Sequence, residues 1–393
     1  MSGSQMSAQQ LQDQNIATRE YILRNSQDML QSIGSGTIVP SAVPQLQIPL
    51  RQVGLAKGLL VEVTATFQNT GSGAATLTPF GAANVISNFS FFDLNNYQRI
   101  NTTGWHMNLL NTSKEGFPWG ASLLSTATDT PIAYGNNASI ISATTSMAAG
   151  NVTPTTGTVK MFYWVPLAYS DRDLRGAVYM GVVNATAYLQ LTPNATPGVT
   201  TGDNTLAVYS GANTAVTMTG FTYNVYQSYL DQLPVYPSGP QAGFAILPPL
   251  DNITQYRLVN TSLSAISAGQ DFNIPFSNFQ EFLTLSMIYD QAGTRNAGTD
   301  INYFALTAAN TLNFFKNDPY VQMLKQRVRT KTDLPPGAYI FDFRGSPIST
   351  NNSGNIQLTL NPLTAAAGSQ VLIGFESFAL VNTLLGAQSL PSS

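Results

Sequence analysis

Residues 59–68 read Leu-Leu-Val-Glu-Val-Thr-Ala-Thr-Phe-Gln, and from the second leucine onward apolar and polar side chains mostly alternate. Residues 283–290, Leu-Thr-Leu-Ser-Met-Ile-Tyr-Asp, repeat this alternation with one exception at Ile288. Because successive side chains of a strand point to opposite faces of the sheet, each segment predicts a β-strand with one buried face. The segments that surround the first strand recur in the same order around the second.

This repeat runs from about residue 46 to 232 and again, shortened, from about 272 to 382. Each copy opens on an Ile-Pro pair, continues through an aromatic strand and a Gln-Leu-Thr strand, and closes on a second aromatic strand. The paired segments are 48–49 and 274–275, 159–165 and 338–343, 190–192 and 357–359, and 221–229 and 371–378. A duplicated unit of this kind indicates an architectural role before it indicates chemistry.

The pattern predicts an all-β fold of two tandem eight-stranded jelly rolls, a double jelly roll. Short alternating strands, turns rich in Gly and Pro, and few helices are typical of sandwiches and barrels, and about eight strands per copy with long loops fit a jelly roll. We expect an N-terminal amphipathic helix and short helices in loops. The expected divisions are a helical arm at 1–38, jelly rolls at 39–240 and 241–384, and a flexible tail at 385–393.

Composition favours a protein that packs among other copies of itself. The chain has 393 residues, which suits two domains, and only 9% of them are charged, against about 25% in an average protein. Weakly charged surfaces are typical of interface cores, although β-proteins in general use fewer charges. The net charge of −3 argues against sequence-specific or general binding to nucleic acid.

No constellation of residues indicates catalysis, a metal site or a cofactor. His106 is the single histidine and there is no cysteine, which excludes a zinc site of the His/Cys type as well as disulfides. Asp171 and Asp173 could form a carboxylate pair for glycoside hydrolysis or cation binding. A capping turn with Arg172 and Arg175 beside it explains them more simply, so we predict that the protein is not an enzyme.

Two helical segments are candidate interaction surfaces. Residues 8–33 predict an amphipathic helix in which Ile16, Leu23 and Leu30 recur at heptad spacing. Such a helix docks on its own β-sheet, on a neighbouring subunit or on lipid. Residues 318–329 predict a second helix, where Lys325 and Arg329 share a face that is either solvated or bound to acidic groups or anionic headgroups.

Several stretches together resemble the major capsid protein of the tectiviruses, tailless icosahedral bacteriophages with an internal membrane and double-stranded DNA. They are Gly-Trp-His at 104–106 leading into 111–114, Tyr-Trp-Val-Pro-Leu-Ala-Tyr-Ser at 163–170 with its continuation to 178, the run at 223–235, and Asn-Ala-Gly-Thr-Asp-Ile-Asn-Tyr at 296–303. The resemblance covers nearly the whole chain and is weakest in the long loops of the first copy and in the tail.

The resemblance implies a homotrimer with a pseudo-hexagonal outline that tiles an icosahedral shell around an internal membrane. Its partners would be neighbouring capsid trimers, vertex and minor capsid proteins and, through the N-terminal helix, the membrane. Loops 70–84 and 120–156 would project outward, and Ile16, Leu23, Leu30, Lys325 and Arg329 are the candidate contacts at the base of the shell. The location would be the virion, after synthesis in the host cytoplasm. A β-rich spike protein that binds a receptor or glycan is the alternative.

Overall fold

The computed structural model describes most of the chain between residues 8 and 380. The residues outside the description are 1–7, 115–139, 183–184, 201–205, 250–254, 268, 292, 294–297, 309–311, 331–333, 335, 351–354, 364, 366–367 and 381–393. The predicted tail and most of the predicted loop 120–156 therefore lie outside the described residues.

Strands dominate the described residues, and helices are few. The helices are α1 (Ala8–Asn25), α2 (Gly104–Lys114) and α3 (Pro319–Thr330), with a short 3₁₀ helix at Ala83–Val85. The strands of the first half are β1 (Gln27–Ile38), β2 (Leu46–Pro49), β3 (Leu55–Asn69), β4 (Ala75–Leu77), β5 (Ile86–Phe92), β6 (Gln98–Thr102), β7 (Ile140–Ala143), β8 (Ser146–Met147), β9 (Thr155–Pro166), β10 (Val178–Tyr179), β11 (Tyr188–Pro193), β12 (Gly198–Val199), β13 (Tyr209–Ser210) and β14 (Val216–Asp231). Those of the second half are β15 (Gln255–Ala265), β16 (Phe272–Pro275), β17 (Gln280–Asp290), β18 (Ile301–Ala308), β19 (Leu312–Asn317), β20 (Ala338–Asp342), β21 (Ile348–Ser349), β22 (Ile356–Pro362) and β23 (Gln370–Leu380).

The two halves fold into two jelly rolls of the same strand order, which confirms the predicted double jelly roll. The first has the order β1-β14-β3-β9 in one sheet and β2-β11-β5-β6 in the other. The second repeats these orders as β15-β23-β17-β20 and β16-β22-β18-β19. The helix that follows β6 in the first jelly roll is α2, and the helix that follows β19 in the second is α3.

The alternation along β3 separates the core from the outer face, as the sequence predicts. Leu59, Val61, Val63, Ala65 and Phe67 are fully buried, while the polar residues between them are half-buried. Burying one such aliphatic or aromatic side chain contributes about 1.5–3 kcal/mol. The hydrophobic effect therefore determines which face of this strand packs against the opposite sheet.

The predicted helix over 8–33 is wrong beyond Asn25. Residues 27–38 form β1, which pairs antiparallel with β14 from Gln27 opposite Asp231 to Ile38 opposite Phe221. The expected helix terminator, Gly-Ser-Gly at 34–36, lies inside this strand. The physical reason is that β14 offers a row of backbone donors and acceptors, and pairing along its length outweighs the helical periodicity of this segment. The segment expected as a helical arm, 1–38, thus contains a strand of the first sheet.

Loop segments of the first jelly roll form a small sheet of their own. The strand order is β12-β13-β4-β8, and these strands come from regions that include the predicted loop 70–84 and the described part of the loop 120–156. Asn69 connects two of these regions, since its amide donates to the carbonyls of Gly73 and Ala148 at 2.8 and 2.9 Å. These parts of the loops are therefore ordered by backbone pairing.

The two jelly rolls join side by side. Strand β6 of the first pairs in parallel with β15 of the second, with Ile100 opposite Val259. Helix α2 is almost fully buried, and its Trp105 belongs to the same apolar cluster as Ile340 and Leu372 on the outer face of the second jelly roll. None of the described helices is both long and apolar enough to cross a membrane.

Candidate interaction surfaces

Helix α1 docks on its own first jelly roll through its last turn. Ile22 is fully buried and Leu23 packs against the same apolar cluster, whose other buried members are Leu55, Ala168, Leu174, Ala177 and Leu230. Earlier in the helix, Ile16 is 43% exposed, and Tyr21 is 49% exposed. The candidate residues Ile16 and Leu23 therefore differ in environment, because one faces outward and the other contacts the sheet.

The candidate residue Leu30 lies on β1 rather than on a helix. It is opposite Ser228 of β14 and is 56% exposed. Within the described residues, β1 pairs only with β14, so its other edge has no strand beside it. Leu30 is thus an exposed apolar side chain on the outermost strand of the first jelly roll.

The basic residues of α3 and β19 contact groups of their own chain. The Nζ atom of Lys325 lies 5.6 Å from the centre of the Phe315 ring, and that of Lys316 lies 3.8 Å from the Tyr303 ring centre. Arg329 donates to the backbone carbonyl of Asp342 and lies 3.6 Å from its carboxylate. These cation–π and ionic contacts already engage the candidate residues Lys325 and Arg329. The two side chains therefore do not form a free basic patch.

The Asp342 carboxylate stays ionised beside these bases. Burial by itself would raise the pKa of Asp342, but hydrogen bonds and charge from Arg344, together with the charge of Arg329, outweigh it and hold that pKa below the usual value. Arg344 also donates to the Ser113 carbonyl at the end of α2, at 3.1 Å. Arg329 of α3 therefore already has an acidic partner, Asp342, within its own chain.

Helix α3 places polar residues inward and apolar residues outward. Gln326 accepts from the backbone N–H of Ile340 at 3.0 Å, and Gln322 donates to the Ile340 carbonyl at 2.7 Å. The opposite side forms an exposed apolar stripe, defined as Tyr320, Val321, Leu324 and Val328, at 56, 44, 62 and 62% exposure. The sequence groups Val321, Leu324 and Val328 on one face, but the amphipathic pattern alone suggests that such a face is buried.

The residues considered for catalysis are engaged in structural contacts. His106 is fully buried, its Nδ1 lies 2.7 Å from the Thr102 hydroxyl, and burial lowers its pKa to about 3 although the charge of Glu376 opposes this. Asp171 pairs with Lys57 at 3.3 Å, and Asp173 pairs with Arg175 at 2.9 Å. Among the described residues no group of His, Asp and Glu could hold a metal ion.

The joint between the jelly rolls contains buried ion pairs that the sequence pattern does not reveal. Arg257 of β15 donates to the Glu376 carboxylate at 2.8 Å and reaches across to the Ala168 carbonyl at 2.7 Å, and both charged side chains are almost completely buried. Arg99 of β6 donates to Asp93 at 2.9 Å and stacks on the Tyr256 ring of the second jelly roll. These contacts fix how the two jelly rolls sit together, since a buried charge is stable only when it is paired.

The five candidate residues from the sequence form two separate groups. Ile16, Leu23 and Leu30 lie on α1 and β1, and α1 packs on the first jelly roll. Lys325 and Arg329 lie on α3, which contacts β18 and β20 of the second. The exposed apolar stripe of α3 and the buried joint are the additional features that the structure identifies.

Comparison with known proteins yields two successive family matches. The family described as P3 major capsid protein N-terminal matches residues 2–233, and the one described as P3 major capsid protein C-terminal matches residues 253–392. The major capsid protein P3 of Enterobacteria phage PRD1 is 36% identical over 390 residues, which covers 98% of this chain and 96% of that protein. These matches extend across both jelly rolls.

Solved structures of similar fold are viral capsid proteins. The crystal structure of the major capsid protein of Sulfolobus Turreted Icosahedral Virus superposes with a TM-score of 0.61 at 12% identity, covering 92% of this chain and 100% of that one. The capsid protein VP54 of the virus PBCV-1 gives a TM-score of 0.51 at 11% identity, covering 90% of this chain and 94% of that one. At such low identity these likenesses concern the fold alone.

Proposed function

The chain belongs to the P3 major capsid protein family of the tectiviruses, and from this premise we propose that three copies assemble into one pseudo-hexagonal capsomer. As a major capsid protein it is a structural subunit of the virion, where it assembles with neighbouring subunits into the shell. The homotrimer and its outline go beyond the family assignment. We also propose that the protein has no catalytic role, in keeping with the buried His106 and the ion-paired Asp171 and Asp173.

The observation that carries the proposal is the equivalence of the two jelly rolls within one chain. They have the same strand order and stand side by side, joined through β6, β15 and α2. Three such chains around an axis supply six similar blocks, and a head-to-tail contact that closes after three copies produces a ring. Copies of a six-sided ring can cover a flat facet without gaps, so each trimer contacts several neighbours. Many weak contacts between trimers can then add up to a stable shell.

We further propose that α1 lies at the base of the capsomer and contacts the internal membrane. Its last turn is anchored by Ile22, while Ile16 and Tyr21 remain exposed and available to a partner. An amphipathic helix that lies in a lipid interface inserts its apolar side chains among the headgroups. Leu30, Lys325 and Arg329 stay candidate contacts at the base of the shell, and neighbouring trimers with vertex and minor capsid proteins complete the proposed set of partners.

The proposed domain division follows the fold. The arm is taken to end where α1 ends, the first jelly roll to begin with β1, and the Pro-rich connector at 233–249 to separate the two jelly rolls near residues 240–241. The tail at 385–393 remains a prediction from the sequence.

The solution mass of the full chain tests the trimer. Sedimentation or light scattering should give three times the chain mass of 42.1 kDa. A stable monomer at micromolar concentration would contradict the proposal and would favour the alternative function, a spike protein that binds a receptor or glycan.

The role of α1 is tested by flotation with vesicles of phosphatidylglycerol and phosphatidylethanolamine. Deletion of residues 1–25 leaves β1 in place, so trimers should survive while flotation is lost. Ile16→Glu should weaken flotation, whereas Gln12→Glu, at another exposed position of the same helix, introduces the same charge without removing an apolar group. Equal flotation of all variants would refute the membrane contact.

A further inference from the structure

The apolar stripe of α3 is an exposed surface that the fold of one chain leaves uncovered. Leu324 and Val328 are each 62% exposed, while Gln322 and Gln326 on the opposite side are buried. A helix normally turns its apolar side to the protein interior. Apolar groups that cluster on the surface instead indicate a contact with a partner.

Helix α2 occupies the equivalent position in the first jelly roll. It follows β6 as α3 follows β19, and an amide side chain fixes each helix to a strand of its own jelly roll, the strand next to β3 or β17. With its amide nitrogen donating and its oxygen accepting, Asn111 bonds the backbone of Trp164 in β9 at 2.8 Å each, as Gln326 bonds the backbone of Ala338 and Ile340 in β20. When the two helices are aligned by residue position from their first residues, Gly104 and Pro319, Asn111 aligns with Gln326.

The outward side of α2 is covered by the second jelly roll of the same chain. His106 lies directly against Gly374 of β23, where a Cβ atom would approach the imidazole ring to 2.3 Å. Leu109 and Trp105 belong to one apolar cluster with Ile288 and Ile340 from the outer face of that sheet. In the alignment of the two helices, Trp105, His106 and Leu109 correspond to Tyr320, Val321 and Leu324. These three residues of α3 belong to its exposed apolar stripe.

We propose that the apolar stripe of α3 packs on the outer face of the first jelly roll of a second copy of this chain, in the way that α2 packs on the second jelly roll within one copy. This inference rests on the proposed trimer and names its contact. The receiving face is the sheet β1-β14-β3-β9, whose outward side carries the half-buried Leu60, Phe162 and Trp164. Trp164 stands there where Ile340 stands in the second jelly roll, since the backbone N–H of each donates to the amide of its helix, Asn111 or Gln326. Their partners on the adjacent strand are Leu60 of β3 and Ser286 of β17.

The sheet edges support the same partner. Inside one chain the joint includes the parallel contact of β6 with β15. The equivalent strands at the outer ends are β19 and β1, and in the described residues each has a strand on one side only. Both carry an exposed apolar side chain, Phe314 at 52% and Leu30 at 56%. A contact between copies would bring these two edges together and remove both from solvent.

A disulfide test addresses the contact directly, because the chain contains no cysteine. Gly374 pairs with Ser286 as Tyr226 pairs with Leu60, so Tyr226 is the residue expected to face Val321 of the adjacent copy. The full-length variant Val321→Cys/Tyr226→Cys should give covalent dimers and trimers, and no larger species, on a non-reducing gel after mild oxidation. The matched control Val321→Cys/Thr217→Cys moves one cysteine about 30 Å along β14 at roughly 3.3 Å per residue and should stay monomeric on the gel.

A charge test complements it. Leu324→Glu/Val328→Glu should convert the trimer to monomer in sedimentation with unchanged circular dichroism, while Val152→Glu, at a side chain that is 90% exposed, should remain a trimer. If the Leu324/Val328 variant fails to fold, the disulfide test decides alone. A wild-type trimer whose Val321→Cys/Tyr226→Cys variant forms no cross-links would overturn this inference and leave the proposed function intact. A wild-type monomer would overturn both.

Discussion

Replacing Gly374 by alanine should disrupt the joint between the two jelly rolls. An added Cβ would lie 2.3 Å from Cδ2, 2.4 Å from Nε2 and 2.6 Å from Cε1 of His106. Carbon atoms pack best at about 3.5–4.0 Å, so the helix and the strand must separate by roughly 1 Å. Because α2 carries the contact between the jelly rolls, this separation should weaken the whole joint.

The imidazole has no room to give way. His106 is fully buried and its Nδ1 is held by the Thr102 hydroxyl at 2.7 Å. Overpacking a well-filled interior typically costs about 1–3 kcal/mol, and the close approach here places Gly374→Ala at the upper end of that range. The matched control is Gly220→Ala in β14, where the added Cβ would meet only Thr66, at 3.8 and 3.9 Å.

Urea unfolding, followed by circular dichroism and by tryptophan fluorescence at equal protein concentrations, measures the difference. Gly374→Ala should lower the free energy of unfolding by about 3 kcal/mol, and Gly220→Ala should change it by less than about 0.5 kcal/mol. The double variant His106→Ala/Gly374→Ala should be more stable than the sum of the single effects, because the methyl group then enters the space left by the ring. If Gly374→Ala matches Gly220→Ala, the proposed close packing of α2 against β23 is refuted.

Three further predictions concern buried polar groups. The folded-state pKa of His106, near 3, lies below its unfolded value near 6.5, so the unfolded state binds the proton first. The free energy of unfolding should fall by about 1.4 kcal/mol per pH unit as the pH drops from about 6.5 towards 3. In His106→Asn this pH-dependent loss should be absent when unfolding curves at pH 6.5 and 5 are compared. An equal loss in the variant and the wild type would contradict the burial of His106. Glu376→Ala should cost about 3–5 kcal/mol because it leaves the Arg257 guanidinium buried without its carboxylate, whereas a loss below about 1 kcal/mol in urea would mean that water reaches the pair. Asn111→Ala should cost about 1–3 kcal/mol by leaving the backbone of Trp164 unpaired, and amide hydrogen exchange at Trp164 should accelerate, an effect that a purely apolar contact would not produce.

Much of the fold follows from the local pattern of the sequence. The alternation at 59–68 and 283–290 identifies the two equivalent central strands, and the recurring order of segments predicts two jelly rolls before any contact is known. The reason is that an alternating strand can bury only one face, so its pattern records which side meets the core. The absence of cysteine and the single histidine likewise exclude whole classes of chemistry.

The candidate contacts were less predictable. Leu23 and Leu30 share a heptad spacing in the sequence, yet Leu23 lies on α1 and Leu30 on β1. The free edge of β14, far away in the sequence, decides this difference. The sequence predicts a basic face that carries Lys325 and Arg329, but Phe315 and Asp342 approach these residues from β19 and β20. Local sequence does not encode such long-range neighbours.

The duplication, the strand pattern and the grouping of apolar residues along α3 are all visible in the amino-acid sequence. Which of these apolar groups are covered depends on contacts between segments that are distant in the sequence. His106 of α2 meets Gly374 of the second jelly roll, while Val321 at the equivalent position of α3 is 44% exposed. Periodicity specifies the face of a helix through the rotation per residue, but whether that face is buried depends on what the rest of the chain places against it.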